Sequence, residues 1–270
     1  MYGLFDTHAH LDFPDFESEI PIILDRARSV GVTKIITIGT DLVSSARAIQ
    51  LAEAHSMVYA AVGWHPANVL EAPADIREAL ERLARHPKVV AIGETGIDHH
   101  HLPSLRTGGT PSEDDLYRSR QIDLFRQQLE VAAQLGLNVV IHERSAFETA
   151  VAVFHPFATR LRGVFHCFSG SAEAVARIIE LNSLISFTGI LTFKNGENIR
   201  EALRVVPSDR FMLETDCPYL APMPFRGKRC EPAFVRHTAE CAASVKGWAY
   251  ESLVEQTSQT AEAFFPKLAS

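Results

Sequence analysis

Residues 4–10 read LFDTHAH: two apolar residues, then an aspartate and a threonine, then two histidines with one alanine between them. The first apolar run of an open doubly wound sheet would pass into a glycine-rich G-x-G-x-x-G turn that cradles a dinucleotide phosphate. Here it passes into HAH instead, so the chain points toward the other large α/β architecture, the closed barrel. There, polar residues following each strand gather at one mouth.

Seven further short, β-branched runs repeat the pattern. The eight expected strands lie near 4–7, 34–38, 58–62, 89–92, 138–141, 163–165, 184–187 and 210–213. Helical periodicity fills the intervals, near 17–30, 43–55, 74–86, 115–136, 144–155, 171–182, 195–206 and 231–245, with a further helix over 249–264. Eight strand–helix alternations predict a (β/α)₈ TIM barrel. No repeat or linker marks a boundary, so residues 1–270 are read as one domain. Segment 102–113, LPSLRTGGTPSE, is rich in Gly, Pro and Ser and is expected to be a surface loop over one barrel mouth.

Composition narrows the function. Hydrophobic residues make up 46% and charged residues 22% of the 270, ordinary for a globular chain with a sizeable core. There is no basic leader and no long uninterrupted apolar stretch, which excludes a membrane span and makes the cytoplasm the expected location. Cys167, Cys217, Cys230 and Cys241 form no CxxC pair and are read as free thiols. A net charge of −7 argues against a nonspecific coat on duplex nucleic acid, but leaves room for a small site where a metal supplies the positive charge.

The polar residues after each run carry the chemistry. Strand one is followed by Asp6, His8 and His10, strand three by Trp64 and His65, and strand four by Glu94. Strand five is followed by His142, strand six by His166, and strand eight by Glu214 and Asp216. Two histidines at i and i+2 of an extended chain point to one face and can share a cation. Each candidate alone also reads as a polar strand end, a core histidine or, for GWHPAN, a turn stopped by Pro66. Together, His8, His10, Glu94, His142, His166 and Asp216 would converge at one barrel mouth. The run His99, His100 and His101 is the obvious metal tract, but consecutive residues cannot all face one ion. Glu94 is therefore read as the ligand in GETGIDHHH, Asp98 as a supporting or substrate contact, and the histidine run as rim. His55, His86, His155 and His237 lie in or beside helical segments and are read as structural.

The ordered motifs DTHAHLD, GWHP, GETGID, VIHER, FHCFSG, ETDCPYLAP and RGKRCEP resemble those of the TatD-type metal-dependent deoxyribonucleases, from residue 5 to about 240. The resemblance implies an amidohydrolase-like TIM barrel, up to two divalent metals, and hydrolysis of phosphodiester bonds in DNA, often from the 3′ end. It puts His8, His10 and Asp216 on one metal, His142 and His166 on the second, and Glu94 between them. It also sets His65, Arg144 and Arg226 against the substrate phosphate. The chain departs from the family pattern where His99–His101 replace a tyrosine run, where Cys230 replaces the asparagine of NEP, and at TSQTAEAFF.

The expected chemistry is attack of a metal-activated water on phosphorus, with Asp216 taking its proton and His65 and Arg144 stabilising the charge that develops. Imidazole suits Zn²⁺, and carboxylate and phosphate oxygens suit Mg²⁺ or Mn²⁺. Single-stranded DNA or DNA ends are the expected partner. The competing readings are hydrolysis of an ester, amide or lactone, including an aminoacyl-tRNA ester, and a non-enzymatic metal scaffold. Arg144, Arg226, Lys228 and Arg229 favour a phosphate substrate.

Overall fold

The structure, a computed structural model, describes residues 3–268. Eight parallel strands lie side by side in chain order: β1 (Leu4–Ala9), β2 (Val32–Ile38), β3 (Val58–Val62), β4 (Val89–Asp98), β5 (Asn138–Arg144), β6 (Gly163–Phe165), β7 (Leu184–Phe187) and β8 (Phe211–Leu213). The end of β8 returns to β1. His10 N–H donates to the Cys217 carbonyl and Asp216 N–H to the His8 carbonyl, both at 2.9 Å. The ring is the TIM barrel the sequence predicts.

Among the described residues, ten helices surround the strands: α1 (Ile20–Ser29), α2 (Leu42–Ala54), α3 (Arg77–Ala84), α4 (Pro103–Arg106), α5 (Pro111–Leu135), α6 (Phe147–Phe154), α7 (Ala172–Glu180), α8 (Glu197–Val205), α9 (Val235–Lys246) and α10 (Tyr250–Phe264). Strand side chains alternate between two apolar layers, as a period of two requires. On β8, Phe211 and Leu213 join the larger core beneath the helices, and Met212 joins a smaller cluster with Ile36, Ala61, Val90, Val140 and Leu184. Phe264, Phe265 and Leu268, at and after the end of α10, complete that smaller cluster. A chain end thus fills the barrel at the face opposite the strand C-termini, leaving the other mouth open for a site.

Two expectations are corrected. Segment 102–113 is not an unstructured loop, because it carries α4 and the start of α5. In TPSE, Thr110 caps the Glu113 amide while Glu113 accepts from the Thr110 N–H at 2.7 Å, and Pro111 opens the helix. Strands one, four and five also run further than their apolar cores. Glu94 lies inside β4, and both His142 and Arg144 lie inside β5, not after it, so the helix expected from residue 144 begins at Phe147. β4 and β5 extend because they pair to Asp98↔Arg144 across an irregularity between Ile92 and Thr95. Gly96, with φ of 144°, permits this: a Cβ there would sit 2.0 Å from the His142 carbonyl oxygen.

Candidate metal centre

The open mouth holds a cavity of about 720 Å³ lined by His10, His65, Glu94, His142, His166 and Asp216 among others. His8 lies directly beneath them and is fully buried. His8, His10, Glu94, His142, His166 and Asp216, carried within or just after β1, β4, β5, β6 and β8, therefore meet, as the strand positions require. Asp216 reaches the cluster from a left-handed backbone conformation, φ 61°, which aspartate tolerates better than most residues. The bond from its N–H to the His8 carbonyl holds it there.

Glu94 divides the cluster. Its Oε2 lies 3.5 Å from His8 Nε2 and 3.8 Å from His10 Nε2, and Asp216 Oδ1 lies 3.6 Å and 3.4 Å from the same two nitrogens. Its Oε1 lies 2.7 Å from both His142 Nδ1 and His166 Nε2. Each half gathers ring nitrogens that face one another at 3.3 Å, His8 to His10 and His142 to His166.

On His10 and His142, a hydrogen bond on the outer side of the ring says which nitrogen is free. His10 Nδ1 donates to the Ile38 carbonyl at 3.3 Å, leaving a lone pair on Nε2 facing inward. His142 Nε2 donates to Asp98 Oδ2 at 3.1 Å, leaving Nδ1 facing Glu94. His166 Nδ1 lies 3.5 Å from Glu214 Oε1, and Glu214 is itself held by Cys167 N–H and Ser186 Oγ, each at 2.6 Å. Inward lone pairs beside two buried carboxylates repel unless a positive charge sits among them. The donor set therefore fits divalent cations, with mixed imidazole and carboxylate ligands.

The electrostatics of the cluster carry the same demand for positive charge. Burial opposes ionisation of Glu94, but the fields of His166 and His65 and the hydrogen bonds from His142 and His166 outweigh it. The carboxyl stays well below the usual range. Burial likewise disfavours a charged His166, yet Glu94 and Glu214 lift it well above the ordinary histidine value. His10 is raised against burial by Asp216, and His142 against burial by Asp98 and Glu94. His8, which burial and His166 both push down, remains neutral.

His65 differs from these rings. Its Nε2 approaches Glu94 Oε1 at 3.3 Å and His142 Nδ1 at 3.2 Å, close enough to belong to a ligand group. However, its Nδ1 accepts the Ala67 N–H at 3.0 Å, so the hydrogen of the neutral ring must sit on Nε2. A ring fixed in that tautomer offers a donor to the cavity, not a lone pair.

Of the cations singled out in the sequence, Arg144 lines the cavity. The structure does not bring the others there. Arg226 lies 4.2 Å over the Phe193 ring, Lys228 lies over Phe225, and Arg229 is paired with Glu19 at 2.7 Å. The histidine run divides as well. His101 lines the cavity and reaches Asp98 Oδ2 through Nδ1 at 2.6 Å, and His100 and His101 both donate backbone N–H groups to Asp98 Oδ1. Sequence reasoning left Phe13, Asn68 and Tyr219 outside the site, although all three line the cavity. The available signal was spacing, since Phe13 and Tyr219 each stand three residues beyond a carried-over ligand.

Comparison with known proteins agrees with this geometry. Residues 5–266 match the model of the TatD related DNase family. The chain is 36% identical over 263 residues to the uncharacterized metal-dependent hydrolase YabD of Bacillus subtilis, covering 97% of this chain and 98% of that one. It is 34% identical over 269 residues to the 3′-5′ ssDNA/RNA exonuclease TatD of Pantoea ananatis, covering 97% and 99%. Among solved structures, the TatD homolog YJJV of Escherichia coli superposes with a TM-score of 0.86 at 28% identity, covering 97% and 98%. The chain therefore belongs to the TatD-related DNase family and is a TatD-type metal-dependent hydrolase.

Proposed function

We propose that this protein is a nuclease that hydrolyses phosphodiester bonds in single-stranded DNA, working at its ends. The observation that carries this reading is the division of Glu94, one carboxylate oxygen toward His8 and His10 and the other toward His142 and His166. Such a cluster holds up to two divalent ions, Mg²⁺, Mn²⁺ or Zn²⁺, with Asp216 completing the β1 half. When bound, the ions supply a water acidic enough to ionise near neutral pH and neutralise charge on the phosphate oxygens.

The chain's own residues do the rest. Asp216 is 15% exposed at the cavity wall and accepts the proton of the attacking water. His65 points its Nε2–H into the cavity, where a phosphoryl oxygen gaining charge accepts it. Arg144, at the end of β5, grips the same phosphate or its neighbour, and Arg226 lies outside the cavity, within the reach of a longer strand only. Arg144 at the cavity wall, a fixed positive charge, favours a substrate that already carries an anion over a neutral ester or amide. The relative in Pantoea is described as an exonuclease on single-stranded DNA or RNA, which accords with single strands as the substrate.

The test is cleavage of a labelled single-stranded oligonucleotide by metal-stripped protein resupplied with Mg²⁺, Mn²⁺ or Zn²⁺, with an aminoacyl ester assayed in parallel. Cleavage that His142→Ala abolishes supports the reading. No cleavage under any metal, with turnover of the ester, would overturn it.

A further inference from the structure

The mouth is chemically lopsided. Phe13 follows His10 through a turn in which Phe13 N–H donates to the His10 carbonyl at 3.2 Å, and Tyr219 follows Asp216 through a matching turn at 3.0 Å. Both aromatic rings are thus carried on the β1–β8 half of the cluster. Phe13 stacks on His10 with centroids 4.8 Å apart and planes 25° from parallel. Tyr219 meets Phe13 edge-on, 6.2 Å away at 82°. The two rings make an open right-angled corner that lines the cavity beside Leu220 and Ile190. Tyr219 is 55% exposed there, so part of its ring is free to take a partner from the cavity. Across the barrel, on the β3–β5 side, the lining is polar and charged: Asn68, His65, His101 and Arg144, with the carboxylates of Glu94, Asp98 and Glu143 among them.

We propose that Phe13 and Tyr219 form a stacking corner for one nucleobase, holding the nucleoside on the β1–β8 side while the adjoining phosphate chain leaves past Arg144. This deepens the nuclease reading and rests on it. Phe13 and Tyr219 pack edge-to-face against each other, so a base lies against the open side of the pair with its π-face on an exposed ring, and stacking tolerates any base because each has a π-face. The corner selects unpaired nucleotides, since a base stacked within a duplex cannot offer its face to Tyr219. It contributes to substrate binding, so its loss appears chiefly in KM.

The experiment compares holoenzyme variants on three substrates: a single-stranded oligonucleotide, the same oligonucleotide with abasic tetrahydrofuran residues at both ends, and the base-free diester bis(p-nitrophenyl) phosphate. Tyr219→Ala is expected to raise KM for the normal oligonucleotide about tenfold more than for the abasic one, and Tyr219→Phe is expected to restore it. Phe13→Leu, checked for metal content because Phe13 touches His10, should shift the same ratio. Equal effects on normal and abasic strands, or no effect, would overturn the corner while hydrolysis of the base-free diester leaves the phosphodiesterase reading standing. If wild type cleaves none of the three, the nuclease reading falls and the corner with it.

Discussion

Gln121 clasps Asp98 from both sides of its peptide: Gln121 Oε1 accepts the Asp98 N–H at 3.1 Å and Gln121 Nε2 donates to the Asp98 carbonyl at 3.0 Å. The same amide donates to the Pro66 carbonyl at 3.0 Å, just after His65. Two turns along α5, Gln128 treats Trp64 in the same way, at 2.8 and 3.0 Å. Both glutamines are fully buried, so α5 positions the ends of β3 and β4 through side-chain amides that substitute for a sheet partner. Gln121→Leu keeps the volume but strands these backbone groups. It should cost about 1–3 kcal/mol of stability, read as a lower urea midpoint at unchanged slope. An unaltered midpoint would mean that the clasp is not a structural tie.

Asp98 passes that order on to His142. Its carboxyl, which burial would raise, is held far below the usual range by His142 and His101, so it stays an acceptor. Asp98→Asn can present an N–H to His142 Nε2 and so disfavours the tautomer with Nδ1 free. Divalent metal affinity should fall roughly 10- to 100-fold by titration calorimetry, with the fold retained. Wild-type affinity in that variant would remove Asp98 from the support of the site.

Metal loading should depend on pH in a stated direction. His10, His142 and His166 are all raised above the ordinary histidine value in the metal-free protein. Protons therefore occupy the cluster below those values and compete with the cation, so affinity must rise with pH and binding must release protons. The slope should continue above the pH where a free histidine has finished titrating. Calorimetry in buffers of different ionisation enthalpy measures the released protons, and a pH-independent affinity between 6 and 8 would contradict the cluster.

Asp6 offers a separate linkage. Burial pushes its carboxyl up to about 8, against bonds from Thr215 Oγ1, Thr215 N–H and His8 N–H. In the unfolded chain this group ionises near an ordinary aspartate value, so between that value and 8 the unfolded state binds fewer protons. Stability contributed by neutral Asp6 is therefore complete below the unfolded value and is lost as pH rises toward 8. Asp6→Asn should flatten the fall in the metal-free protein's urea midpoint between pH 5 and 8, relative to wild type. Parallel curves for the two proteins would show that Asp6 does not titrate in this window.

The sequence by itself determined the barrel and the convergence of ligand types. Period-two apolar runs separated by helical ones admit few architectures, and a parallel barrel obliges residues at its strand ends to share one mouth. His8, His10, Glu94, His142, His166 and Asp216 were legible for that reason. The HHH tract was read as rim because consecutive side chains cannot all face one ion; in the structure it lies in a bend and turn, and of the three His101 lines the cavity.

Only the tertiary structure decided what each polar group does. Nothing near His65 in the sequence says that the Ala67 N–H occupies its Nδ1 and makes the ring a donor. Glu214 and Asp216 look alike in ETD, yet one turns behind His166 and the other faces the cavity. Arg144 and Arg226 are equal as charges, but only Arg144 reaches the cavity, whereas Arg226 rests on Phe193. Strand periodicity fixes the side of the sheet on which a residue lies. Partner and reach depend on atoms brought from dozens of residues away, contacts that exist only after the ring has closed, and the His65 tautomer depends on the shape of the turn at Pro66 that folding gives it.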